Sequence, residues 1–179
     1  MPAISDKVVK MFQVSKYTLY VDGDPTPYVA SVTLPNIVSE SIEFNNTSTG
    51  GMVEFADAFR KRVDGEGELT LENDSSLSVP FLIDSTRTRT VKISAAVNGY
   101  NPQLGVVAPI PIKYTMTCQF SGYNPGEIAL GQKREVTATF KIFTLKLEIA
   151  GNEIFDYDFI NGTFSVEGVD LLTALVGVI

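Results

Sequence analysis

The sequence predicts a mainly β, antiparallel fold, and three observations carry that expectation. Arg134 to Ile149 (REVTATFKIFTLKLEI) is rich in β-branched and aromatic residues, contains no Gly or Pro, and does not follow a helical period. Ile110 to Tyr123 alternates without a break, with Ile110, Ile112, Tyr114, Met116, Cys118 and Phe120 on one face and Pro111, Lys113, Thr115, Thr117, Gln119 and Ser121 on the other. The turn-rich Tyr123 to Lys133 joins the two stretches, so they form one long hairpin.

The Arg134 to Ile149 stretch changes parity along its length. Val136, Ala138, Phe140 and Ile142 are apolar at even positions, opposite Glu135, Thr137, Thr139 and Lys141; afterwards Phe143, Leu145, Leu147 and Ile149 are apolar at odd positions, against Thr144, Lys146 and Glu148. A side-chain period of two cannot switch parity without a bulge, a twist or a passage from one buried face to another. The expectation is a bulge or bend near Ile142 and Phe143, with one end of the strand in the subunit's own core and the other in a second sheet or interface. A strand covered on both faces at its middle fits the same pattern.

Taken in order, residues 1–15 read as a short arm with a helical turn around Asp6 to Phe12. Thr18 to Gly23 is a short strand ending in an Asp22-Gly23 turn. Tyr28 to Asn45 is extended and broken by Pro35, which belongs at an edge or bend; past the break Val38, Ile42 and Phe44 lie opposite Ser39, Ser41, Glu43 and Asn45. Asn45 to Glu68 opens with small residues around Gly50-Gly51 and reads as a long loop ordered by a partner. Gly67 to Asn73 alternates as a half-solvated strand, and Asp74 or Ser75 then caps a short helix through Ile83, with Pro80 tolerated only in the first turn. Arg87 to Val97 is a strand, followed by a turn-rich and then apolar connection over 98–109. Beyond Ile149, turns at Gly151-Asn152 and Asn161-Gly162 bound two short strands, the second turn being the strongest hairpin signal in the chain. The apolar run over 169–179 ends the chain as a last core strand, a helical turn or a contact with a neighbouring subunit.

Composition narrows the chemistry. At 179 residues the chain is a single domain able to bury about two thirds of its unfolded surface. Its 14 Lys+Arg against 21 Asp+Glu, a formal charge of -7, argue against a surface that holds nucleic acid by neutralising phosphates. With no histidine, Ser-His-Asp and Cys-His catalysis and His-ligated zinc are excluded, leaving carboxylates, Lys and Tyr. The lone Cys118 lies in an alternating apolar pattern and reads as a reduced core thiol. Asp22 and Asp24 lack further ligands at calcium-loop spacing, and no P-loop lysine follows Gly51, so no catalytic, metal or cofactor site is expected. The first residues contain no continuous apolar core, and no later stretch is long enough to span a bilayer, so a soluble, unexported chain is expected.

The faces opposite the apolar sides share a character. Ser39, Ser41 and Glu43, then Lys113, Thr115, Thr117 and Gln119, then Glu135, Thr137, Thr139 and Lys141 are short hydroxyl and mixed-sign residues without apolar anchors. Such a face is a poor hot-spot surface and a good wetted wall. Meanwhile 44% hydrophobic residues imply burial beyond a monomer's own core. Two arrangements fit: a β-sandwich with one solvated face, or strands pairing edge to edge around a water-filled ring. A third, a ligand-binding or hydrolytic β-barrel using Glu40, Glu43 and Glu135, has no spacing that converges those carboxylates.

The ordered series LYVDG (Leu19 to Gly23), VTLP (Val32 to Pro35), GGM (Gly50 to Met52), PGE and GQK (Pro125 to Glu127, Gly131 to Lys133), KLEIAG (Lys146 to Gly151), NG and GVD (Gly168 to Asp170) resembles the major tail tube proteins of contractile-tailed phages and R-type pyocins. That resemblance implies two packed antiparallel β-sheets, sandwich- or barrel-like, with one short flanking α-helix, and long hairpins merging into a shared β-barrel when six protomers form a ring. It implies a structural, non-enzymatic protomer whose stacked hexameric rings form a hollow conduit for DNA or ions. The implied partners are further copies of itself, the tail sheath protein, and baseplate and tail terminator proteins, with DNA passing without specific binding. The polar residues named above become the lumen lining, and a loop over 45–66, with Asn46, Gly50, Gly51, Met52, Val53, Glu54 and Phe55, reaches the next ring. The place implied is a virion tail or tailocin particle assembled in the bacterial cytoplasm; the injected tube of a type VI secretion or extracellular injection system shares the fold. This sequence departs from the family pattern at Pro80, at Ala150, and over 98–109, which are longer and more apolar.

Overall fold

The computed structural model describes residues 10–46, 51–72, 79–101 and 106–171. Along the chain run β1 (Lys10–Val21), β2 (Asp24–Thr26), β3 (Val29–Thr33), β4 (Asn36–Asn46), β5 (Gly51–Asp64), β6 (Gly67–Glu72), α1 (Val79–Ile83), β7 (Arg89–Asn101), β8 (Val106–Asn124), β9 (Glu135–Ile149), β10 (Asn152–Asp158), β11 (Thr163–Val166) and β12 (Val169–Asp170). Two-residue turns at Asp22-Gly23, Ala150-Gly151 and Glu167-Gly168 have positive φ at both positions. This is the type I′ geometry, whose twist matches that of the strands it joins. The Asn161-Gly162 hairpin is built differently, closing a longer loop between Asp158 and Thr163. There the Asp158 carboxylate accepts the N–H groups of Ile160 (2.9 Å) and Asn161 (3.0 Å).

The large sheet has the order β12-β11-β10-β9-β8-β7-β1-β2. β9 is its branch point. One edge of β9 pairs with β8; the other pairs with β6 over Glu135–Phe140 and with β10 over Thr144–Ile149. β6 in turn carries β3. The β6–β3 arm packs back over the main sheet, placing Leu69 and Leu71 in one buried cluster with Leu19, Ile93, Met116, Phe120 and Phe140. The two packed layers are therefore arms of one forked sheet, and the separate small sheet is the β4–β5 ribbon. Among the described strands no ladder joins β3 to β1; the Tyr17 hydroxyl spans the gap, 2.8 Å from the Val29 carbonyl and 2.7 Å from that of Ala30.

The expected bulge is present. Thr117 pairs with Thr144 and Cys118 with Ile142, leaving Phe143 as the extra residue. Its effect differs from the expected change of core. Val136, Ala138, Phe140, Ile142 and Leu145 all join one cluster, so the bulge keeps one apolar face continuous across the parity change. What changes at that point is the lateral neighbour, from β6 to β10.

Aromatic packing fills the fork. Phe120 meets Phe81 of α1 at 5.7 Å between ring centroids and Phe140 edge-on at 5.9 Å. The Phe140 ring lies over Gly67 so closely that a Cβ there would collide with it, which is why a glycine opens β6. Arg89 braces the same end, with Asp22 at 2.9 Å and Asp84 at 3.4 Å, tying the β1–β2 turn to the end of α1. Cys118 is fully buried, and burial first, with the Asp22 charge adding to it, pushes its thiol up to about 12.

Several local expectations need correction. The segment expected as a 45–66 loop is mostly β5, because Val53 and Phe55 alternate with their neighbours and pair across to Phe44 and Ile42. The arm expected over 1–15 becomes strand from Lys10 onward, where β1 pairs with β7, so no helical turn spans Lys10 to Phe12. At both ends of the connection expected over 98–109 the chain is in a ladder, Asn98, Gly99 and Tyr100 pairing with Pro109, Ala108 and Val107. α1 carries Pro80 in its first turn, as required. Asp74, Ser75, Gly50 and the apolar run over 172–179 lie outside the described residues.

Candidate functional site

The outer face of β8 and β9 is built by register. Residues that pair across an antiparallel ladder point to the same side, so the alternation of each strand adds to that of its neighbour. Lys113 pairs with Glu148, Thr115 with Lys146, Thr117 with Thr144 and Gln119 with Lys141. β7 extends this face with Ser94, Lys92 and Thr90 opposite Lys113, Thr115 and Thr117. β10 extends it the other way, with Asp158 and Asp156 opposite Thr144 and Lys146. The result is one wall of hydroxyl and charged side chains whose reverse side is the core.

Of the residues expected on such a wall, Lys113, Thr115, Thr117, Gln119, Glu135, Thr137, Thr139 and Lys141 lie together on β8 and β9. Thr139 shares a hydroxyl contact with Ser121 at 3.1 Å, and Gln119 donates to the Ser85 carbonyl at 2.5 Å. Ser39, Ser41 and Glu43 stand on β4, in the other sheet. The glutamates Glu40 and Glu43 are likewise on β4, while Glu135 opens β9 opposite Glu72. Among the described residues no three of His, Cys, Asp and Glu are grouped to hold a metal ion.

Three of the wall's lysines, Lys113, Lys141 and Lys146, are cross-linked to carboxylates. Lys146 Nζ lies 2.6 Å from Glu153, 3.9 Å from Glu148 and 4.0 Å from Asp156, while Glu148 also receives Lys113 at 2.9 Å. Lys141 pairs with Glu66 at 3.5 Å. The hydrogen bond from Lys146 holds the Glu153 carboxyl below its ordinary range, and that from Lys113 does the same for Glu148. Lys146 is raised in return, chiefly by its bond to Glu153. Asp156 moves the opposite way, pushed up by partial burial and by the charges of Glu153 and Asp158. A polyanion gains affinity by releasing counterions from cations it neutralises. Lysines already neutralised by carboxylates offer little of that gain.

Thr144, Lys146, Glu148, Glu153 and Asp156 belong to the wall but were absent from the expected lining. Their alternation is plain in the sequence; what was missing is that the Phe143 bulge restores their side to the face of Lys141.

Of the expected inter-ring residues, Asn46 ends β4 and Gly51, Met52, Val53, Glu54 and Phe55 begin β5, at the far end of the ribbon. The ribbon's base is anchored by Lys61: its ammonium hydrogen-bonds the Ser39 hydroxyl and sits 5.8 Å from the Phe164 ring centroid, and its carbonyl accepts the Tyr157 hydroxyl at 3.4 Å.

Solved structures share this fold. The sheath/tube terminator of an extracellular contractile injection system aligns with a TM-score of 0.52 at 11% identity, covering 76% of this chain and 96% of that one. The sheath-tube complex of such a system aligns at 0.50 and 11% identity, covering 74% and 88%. The tube-terminating cap of the anti-feeding prophage aligns at 0.52 and 10% identity, covering 83% and 99%. At these identities the likeness is one of fold. No curated protein matches the sequence. The family described as phage tail tube protein FII matches residues 12–176, almost the entire chain. This protein therefore belongs to the phage tail tube protein FII family.

Proposed function

We propose that the chain is a non-enzymatic tail tube protomer that closes into hexameric rings, and that the rings stack into a hollow tube with the polar wall of β7, β8, β9 and β10 turned to the lumen. The observation that carries this reading is the wall itself: a broad hydroxyl-rich face with cross-paired charges, no apolar anchor among its expected lining residues, and a complete core behind it. Such a surface stays wet and does not hold a passing polyanion, which suits DNA or ions in transit. Ser39, Ser41 and Glu43 join the lining where the β4–β5 ribbon reaches a neighbouring protomer, and Asn46 to Phe55 at its end contact the next ring. A two-stranded ribbon is marginal alone in water, which supports an intersubunit role for it. The outer surface of the tube meets a sheath, and its ends meet baseplate and terminator proteins, in a virion tail or tailocin particle.

Negative-stain microscopy with light scattering on the purified protein tests the reading. Rings or hollow tubes are expected; a monodisperse protomer near 19.5 kDa at every concentration would refute it.

A further inference from the structure

β8 is the longest strand described, 19 residues or roughly 60 Å, and exposed apolar side chains lie at both of its ends. At one end β7 and β8 form a tip in which Val107 is 61% exposed and Ala108, Pro109 and Pro111 are also exposed. No charged residue occurs from Val106 to Ile112. The Pro111 carbonyl accepts the Ala150 N–H at 2.9 Å, so the backbone groups of Pro109 and Pro111 turn toward the β9 side. Beyond Ile149 no described strand covers that edge, and the prolines offer no N–H along it. The tip therefore resists strand addition at this edge and presents side chains instead.

At the other end of β8 the loop to β9 exposes Ile128 at 83% and Leu130 at 106%. This loop is braced. The Asn124 side chain accepts the Gly126 N–H at 3.0 Å, Arg134 Nε donates to the Pro125 carbonyl at 2.9 Å, and Lys133 pairs with Glu72 at 3.3 Å. Gly126 has φ +68° and sits so close to the Glu135 carbonyl that no side chain fits. With both ends of the loop tied down, the two aliphatic side chains between them lose less freedom on docking than they would on an unbraced loop.

We propose that these ends are the two halves of one stacking contact, in which Ile128 and Leu130 of one copy seat on the uncharged Val107–Pro111 tip of a second copy. The proposal rests on the tube reading above and adds a contact separate from the Asn46 to Phe55 segment. The two patches lie at opposite ends of one strand, so they cannot meet within a protomer. A two-fold axis across β8 would use up both patches in one closed pair, whereas a translation along β8 sets loop on tip and leaves one patch free at each end. Repeated, that translation never closes and grows an open stack. An aliphatic loop and an uncharged tip match in chemistry, each removing apolar surface from water.

The test uses two blocked variants, the double substitution Ile128→Asp with Leu130→Asp, and Val107→Asp. All three sites are exposed, and circular dichroism verifies folding. Each variant should stop at single rings under conditions where the unsubstituted protein forms tubes. Mixing the two ring preparations should yield paired rings and nothing longer, because one intact loop meets one intact tip. Full-length tubes from either variant alone would overturn the contact, as would variants that stay monomeric, which would place these residues within a ring. An unsubstituted protein giving neither rings nor tubes would instead overturn the tube reading, and this contact with it.

Discussion

The β8–β9 hairpin and the β4–β5 hairpin are both long antiparallel pairs with register shifts, yet their surroundings differ throughout. β8 and β9 have ladders on both outer edges, to β7 and to β6 and β10, and their inner face supplies Met116, Cys118, Phe120, Val136, Ala138, Phe140 and Ile142 to the core. Among the described strands β4 and β5 pair only with each other, and Lys61 fastens their base to Tyr157 and Phe164. Alternation alone does not tell a strand completed inside the protomer from one left for assembly; neighbours on each edge do.

That contrast should break most visibly under core truncation. Phe140→Ala removes a ring packed on Phe120 and over Gly67 and should cost about 3 to 5 kcal/mol in urea unfolding. Deleting residues 46–53 from the ribbon should leave that unfolding transition nearly unchanged while abolishing ring stacking in micrographs. A deletion that melts the protomer as Phe140→Ala does would erase the distinction between the two hairpins.

The smallest expected effect lies in the charge network between β9 and β10. Glu148 and Glu153 are depressed in the folded state, so their contribution is complete above the ordinary glutamate range and is lost as pH falls through their folded values. Asp156, raised by burial, opposes them, because its protonation on acidification relieves a folded-state penalty. Stability should therefore decline only gently as pH falls through and below the ordinary glutamate range. Lys146→Ala should flatten that decline, as read from urea midpoints across pH. An undiminished pH slope in the variant would show that the network carries none of it.

Much of the body was legible because its strands announce themselves. The unbroken alternation from Ile110 to Tyr123 and the parity change at Phe143 mark the long hairpin and its bulge. β5 was not legible, since Gly50-Gly51 and the charged run after Phe59 mask a short alternation that only pairing with β4 reveals. The 98–109 tip was missed because Asn98, Gly99 and Pro109 signal turns, yet ladder pairing absorbs all three. For the wall, residue types located Lys113 to Gln119 and Glu135 to Lys141. Its extension to Lys146, Glu148 and Asp156 depended on a register that no single strand encodes.

Whether the polar wall faces the lumen is best decided by placing a cysteine on it, at Thr115→Cys, and labelling assembled tubes with a small maleimide and with a polymer-linked maleimide too bulky to enter. The native Cys118 is buried, with its thiol raised to about 12, and stays silent. A lumen-facing wall predicts that the small reagent labels tubes and dissociated protomers alike, while the bulky one labels only dissociated protomers. Full labelling of intact tubes by the bulky reagent would put the wall on the outside and contradict the assignment.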